Sequence, residues 1–188
     1  MILGVGAIQS GLLRVITFKT LAITYRCLEM VSFFLPSLKE FFDEKLPDKK
    51  NNLSKQFNQL IKDYNDHKIE LKNKLVSMID ENFREFLSQY EVIAPVPSQC
   101  FRSICQQITR VHEIFTDTLS DQTVVSIFTE IHLKFKQRLS QRLKELNVNN
   151  DGGPQHALIF SDMSYYIKQF KSLDGLHLIS LNFEDVFS

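Results

Sequence analysis

The sequence has no tryptophan, and only 6 glycines and 5 prolines occur in its 188 residues. Aromatic packing therefore falls to 16 phenylalanines and 5 tyrosines. Glycine and proline this scarce, gathered at a few places, leave long uninterrupted stretches for regular structure. There is no excess of either charge, because 22 Lys+Arg balance 22 Asp+Glu. That argues against general nucleic-acid binding, which draws on a basic surplus to displace counterions. The three cysteines, Cys27, Cys100 and Cys105, cannot all pair. With no clear secretory signal, that suits a reducing compartment. The uncharged stretch Met1–Leu13 is shorter than the ~20 apolar residues a bilayer span needs. It lacks the basic start of a signal peptide, and Arg14, Lys19, Arg26 and Glu29 interrupt the apolar residues beyond it. We read it as the start of a buried helix, in a peripheral protein with no transmembrane span.

What the chain does have is 44% hydrophobic residues arranged with helical period. The spacing predicts helix one from about Ala7 to Asp43. Ile16, Ile23, Cys27, Val31, Phe34, Leu38 and Phe41 form one stripe at three- and four-residue intervals. Leu21, Leu28, Leu35 and Phe42 form a second stripe beside it. An apolar face that wide implies cover from more than one side. Pro36 removes one backbone donor and should kink or split the helix near Phe33. Helix two is expected from about Leu53 to Tyr90, a rod of roughly 55 Å at ~1.5 Å per residue. Its apolar positions run from Phe57 to Phe86, and a charge-rich middle forms the solvated side.

The segment Glu91–Ser98 contains Pro95 and Pro97, which no helix crosses. It reads as an extended strap held against a bundle by Val92, Ile93 and Val96. Ser98 caps helix three, which carries Phe101, Ile104, Cys105, Ile108, Phe115 and Leu119. Ser120-Asp121 opens helix four, with Val124, Phe128, Ile131, Phe135, Leu139, Leu143 and Leu146. Gly152 or Gly153 and Pro154 mark the turn into helix five, which holds Phe160, Met163, Ile167, Phe170 and Leu173. In the last segment Leu178, Leu181 and Val186 are candidate anchors, and Leu181 is expected to dock and hold the C-terminus down. The expected fold is all-α: an elongated bundle of five to six helices forming a single domain over residues 1–188. Helix one (1–46) should pack partly against upstream chain.

No motif for catalysis stands out. Asp63, Asp66 and His67 share a helix face, yet the paired Glu-x-x-His motifs of di-metal bundles are missing, so a solvated charged face is the better reading. Cys100 and Cys105 lack zinc-ligand spacing and read as packing residues. His112 lies on an apolar face and reads as a core histidine. His132 and His156 have no nucleophile motif to serve. Asp151-Gly-Gly-Pro154 matches no phosphate loop. Neither metal nor cofactor is expected, nor a small-molecule substrate. One feature suits a surface role: Lys134, Arg138 and Arg142 at i, i+4 spacing would line a ridge able to meet acidic headgroups or an acidic partner. Cations there also complement the helix dipole.

Four segments in order carry a resemblance. They are Gly6-Ala-Ile-Gln-Ser-Gly-Leu-Leu13 with the ITFKTLAITYRCLE after it, KDYNDHKIEL at Lys62–Leu71, YEVIAPVPSQCFRSICQQI at Tyr90–Ile108 and LNVNNDGGPQ at Leu146–Gln155. Together they resemble the C-terminal region of the vacuolar protein sorting-associated protein fifty-four family, a subunit of the Golgi-associated retrograde protein (GARP) tethering complex. The resemblance implies a rod of stacked helical bundles and a non-enzymatic role in vesicle tethering, in retrograde transport from endosomes to the trans-Golgi network. It implies sister subunits and an endosomal membrane or membrane-bound protein as partners, on the cytosolic face of both compartments. The family's long N-terminal coiled-coil region, which assembles with the sister subunits, is not in this chain, so the chain reads as a domain of a longer protein. The competing reading is a free-standing helical adaptor that binds an amphipathic partner helix in a groove.

Overall fold

The computed structural model describes residues 16–46, 50–148 and 152–187. The expectations for Met1–Leu13 and for Asp151 lie outside them. Five helices succeed one another: α1 Phe18–Lys45, α2 Lys50–Ser88, α3 Gln99–Thr116, α4 Asp121–Glu145 and α5 Pro154–Lys171. The fold is the all-α bundle expected from the periodicity.

Two expectations for the first helix change. α1 begins at Phe18, leaving Ile16 and Thr17 outside it. The Thr17 hydroxyl accepts from the Thr20 N–H at 3.1 Å, and the Thr17 N–H donates to the Thr20 hydroxyl at 3.0 Å. This reciprocal cap satisfies two donors that a helix start would otherwise leave open. Pro36 does not split the helix, which runs through it to Lys45. The ring costs α1 one backbone bond, and the helix packs along α2 on both sides of it. Farther along, Gly152 adopts a φ of +73° in the turn before Pro154, the first residue of α5.

α2 has 39 residues, roughly 58 Å of helix, and packs against three neighbours, α1, α3 and α4. α1 folds back along it as a hairpin, with Phe42 meeting Phe57 near the turn at 5.7 Å between ring centroids. The second half of α2 runs beside α4, where Lys72 reaches Ser126 and Asp80 reaches Arg138. The core is concentrated at that end. Among the described residues, every buried hydrophobic of α2 lies at or beyond Leu75, whereas α1 encloses only Ala22 and Leu35.

Phenylalanine builds the interior. Phe135 of α4 stacks on Tyr166 of α5 at 4.4 Å and meets Phe83 of α2 and Phe101 of α3 edge-on at 5.4 and 5.6 Å. Phe128, one layer along α4, touches Phe115 of α3 and Phe170 of α5. Offset and edge-on pairs of this kind add about 0.5–1.5 kcal/mol each beyond their area burial. The expected stripe of helix five is rotated: the buried positions of α5 are Ile159, Asp162, Met163, Tyr166 and Phe170, and Phe160 faces solvent.

The last segment folds back over α4 and α5. Phe183 covers His132, Phe135 and Tyr166 at 5.2, 6.2 and 5.7 Å, and Lys136 binds Asp185 at 2.9 Å. Of the expected anchors, Val186 is fully buried, Leu181 is half-buried against the core, and Leu178 is 84% exposed. Leu176 and Ile179 supply the remaining enclosed contacts, because the segment is a series of turns and not a helix. His132 is sealed beneath this tail, and burial pushes its pKa down to about 4.

Substitutions in this tail should separate by burial. Leu176→Ala should cost ~2–5 kcal/mol. Leu178→Ala, two residues away, should stay within ~0.5 kcal/mol. Leu181→Gln should fall between them in a thermal melt. Separately, the unfolded chain takes up a proton at the ordinary histidine pKa of ~6.5, which the folded His132 refuses until about pH 4. Melting temperature should therefore be fully retained above ~6.5 and decline as pH falls toward 4. His132→Phe should flatten that decline. Glu29 and Asp80, held below ordinary carboxylate values, act only at lower pH.

Candidate interaction surface

The i, i+4 spacing does place Lys134, Arg138 and Arg142 along one side of α4, but the structure gives them different work. Arg138 grips Asp80 of α2 with two parallel bonds, Nε to Oδ1 at 2.9 Å and Nη2 to Oδ2 at 2.7 Å. Those bonds, with the charges of Arg138, Lys134 and Arg84, hold the Asp80 carboxyl below its usual range. Arg142 donates from Nε and Nη2 to the Tyr90 carbonyl at 3.3 and 3.0 Å and from Nη1 to Glu145. Lys134 is exposed. The two arginines neighbour the buried Leu139 and Leu143, so they sit at the edge of the core, where Asp80 of α2 and the Tyr90 carbonyl just beyond α2 meet them.

A second constellation had no counterpart among the sequence-based expectations. Asp162 of α5 is 1% exposed and accepts two hydrogen bonds from the start and end of the proline strap. The Tyr90 hydroxyl donates to Oδ2 at 3.0 Å, and the Ser98 N–H donates to Oδ1 at 2.6 Å. The Ser98 hydroxyl accepts from the Phe101 N–H, capping α3 as expected, and Arg102 donates to the Pro97 carbonyl at 3.0 Å. The strap is not extended throughout: residues 94–97 are a run of bends. Val92 and Val96 are half-buried, but Ile93 is exposed, so Ile93 does not hold the strap. The signal available in the sequence was a carboxylate on an apolar stripe, one position before Met163 and four before Tyr166. Burying such a group demands partners, and here they come from 64 and 72 residues away.

A third cluster joins α1 to the α3–α4 turn. Burial tends to raise the Glu29 pKa, but hydrogen bonds from Arg26, Thr123 and Ser120 outweigh it and hold the carboxyl below its usual value. The Ser120 and Thr123 hydroxyls both donate to Oε1 at 2.9 Å.

The remaining candidates have local roles. Asp63 accepts from Gln59, and His67 pairs with Glu70, both on the exposed side of α2. Among the described residues no set of three His, Cys, Asp or Glu side chains gathers to hold a metal. His112 is buried with one partner, the Asp174 carbonyl at 2.9 Å. Cys105 is buried, and Cys100 is half-buried with its thiol donating to the Phe86 carbonyl. Burial pushes both thiols up to about 12, away from reactive thiolate.

α1 is also long and apolar enough to cross a membrane by length and composition, with mean hydropathy 1.2 and 11% of that stretch buried. Against this, Phe18, Leu21 and Tyr25 on one side pack against the core.

Known proteins resemble this chain along its whole length. Residues 1–82 match the family model described as Vps54-like protein. Human vacuolar protein sorting-associated protein 54 is 40% identical over 187 residues, covering all of this chain and 19% of its own length. A solved structure described as the C-terminal domain of Vps54 subunit of the GARP complex superposes with a TM-score of 0.65 at 42% identity, covering 69% of this chain and 98% of that one. Another, described as the Vps54 C-terminal domain, gives 0.66 at 40% identity, covering 73% and 97%. The chain thus spans about a fifth of the curated relatives' length.

The clamp and the ion pair should separate by mutation. Asp162→Ala strands two buried donors at ~1–3 kcal/mol each. Arg138→Ala loses a partly exposed pair worth about 1 kcal/mol at most. Hydrogen exchange at the Ser98 amide should accelerate sharply in the first variant and little in the second.

Proposed function

We propose that this chain, which belongs to the Vps54 family, is a non-enzymatic helical domain of a vesicle-tethering subunit. It serves retrograde transport from endosomes to the trans-Golgi network, on the cytosolic face of those membranes. The observation that carries this reading is the match, at 42% identity, to nearly the whole of a solved domain described as part of a GARP complex subunit. The side chains support a mechanical role. Most groups with a displaced pKa are engaged by the fold: Glu29 and Asp80 in hydrogen-bonded ion pairs, Tyr90 on Asp162, His132 and Tyr166 within the aromatic core. Such groups set the stiffness of a rod that holds two bodies at a distance. Sister subunits are partners of the longer protein, and this domain contributes contact with the endosomal membrane or a protein on it.

Within that reading the basic side of α4 is the contact surface. Lys134 is its most available cation, with Lys144 one end of the helix away and exposed. Arg138 and Arg142 brace the ridge from beneath through Asp80 and Tyr90. The test is recruitment of the fluorescently tagged chain to endosomes in cells. Lys134→Gln with Lys144→Gln should reduce recruitment several-fold with little change in melting temperature, because both lysines are exposed and the Asp80–Arg138 pair keeps its two bonds. Undiminished recruitment would remove the ridge from the proposal. A diffuse signal from the unaltered chain would remove endosomal contact altogether.

A further inference from the structure

α1 carries two apolar stripes, and the fold covers one. Leu21, Tyr25, Leu28, Leu35 and Phe42 lie on the side partly or wholly enclosed by the rest of the chain. On the opposite side Ile23, Cys27, Met30, Phe34, Leu38 and Phe41 are all exposed, with Phe34 at 56%. Their steps are four, three, four, four and three residues, about one helical turn each, so they keep to a single face of α1. The seam spans most of the helix, roughly 27 Å at 1.5 Å per residue. A monomer rarely leaves so long an apolar surface bare.

The occupant is narrowed by what surrounds the seam. Charges of both signs flank it at each end: Lys19, Arg26 and Glu29 near its start, and Lys39, Glu40, Glu44 and Lys45 near its end. A helix lying in an anionic membrane surface carries basic flanks throughout. A spanning helix would have to strip α2 from its other side and leave Glu29 without Ser120 and Thr123. A helix partner with mixed charges fits both halves. The curated relatives hold about four-fifths of their length outside the region this chain matches, ahead of it. A segment on the same chain acts at an effective concentration in the millimolar range, far above that of a second copy in solution.

We propose that the exposed seam of α1 is the docking site for a helix from the Vps54 chain immediately preceding this domain, so that α1 is shared between two consecutive bundles. The inference rests on family membership and on the bare seam, and it stands or falls independently of the tethering reading. The test places the photocrosslinker benzoylphenylalanine at Phe34 in full-length Vps54, with the same substitution at Phe42 as calibration. Phe42 must crosslink to α2 near Phe57, which it faces at 5.7 Å. Phe34 should crosslink to the segment preceding this domain in the same molecule. Capture of a second copy, of a sister subunit or of lipid would overturn the proposal, as would no crosslink at Phe34 when Phe42 reacts. As a second readout, Phe34→Asp should leave the melting temperature of the 188-residue chain unchanged and lower that of the full-length protein by several degrees. Equal behaviour in both would also overturn it.

Discussion

The stack of Phe135 on Tyr166 is the contact on which the bundle depends. It ties α4 to α5, and its edges receive Phe83, Phe101 and Phe183, so three helices beyond α4 and the C-terminal segment meet around one ring. The backbones of α4 and α5 do not approach closely, and the rings fill the space between them. A chain without tryptophan has few side chains large enough for that task. Its phenylalanines take it because edge-on and offset arrangements let several rings share one site without polar atoms to satisfy.

Around that apolar centre the molecule places its polar bonds where the chain changes direction. Asp162 secures both ends of the proline strap, Arg142 takes the Tyr90 carbonyl just beyond α2, and Glu29 binds the α3–α4 turn to the hairpin. Each solves the same problem. Helix ends and bends expose backbone groups or bring side chains inward, and a buried polar group without a partner costs about 1–3 kcal/mol. The partners come from distant helices, so these bonds fix the relative positions of elements that hydrophobic packing alone would let slide.

The stability is unevenly spread. The core lies in the second half of α2 with α3, α4, α5 and the tail, while the α1–α2 hairpin encloses little. Such a division gives one end that is rigid and another whose apolar surface is available for further packing.

The sequence alone determined the class of fold, the positions of most helices and the resemblance to a tethering family, because periodicity, caps and breakers act over a few residues. The double stripe of α1 was legible for the same reason. Which stripe would be covered was not, since that depends on where α2 and α3 lie. Tertiary structure alone decided that Phe160 and Leu178 face solvent while Ile159 and Leu176 are enclosed. It also turned Arg138 and Arg142 from a bare ridge into braces, because their partners stand 58 and 52 residues away. The clamp at Asp162 was beyond reach for that reason as well: a lone carboxylate on an apolar stripe announces that it needs donors, and only the folded chain says which ones reach it.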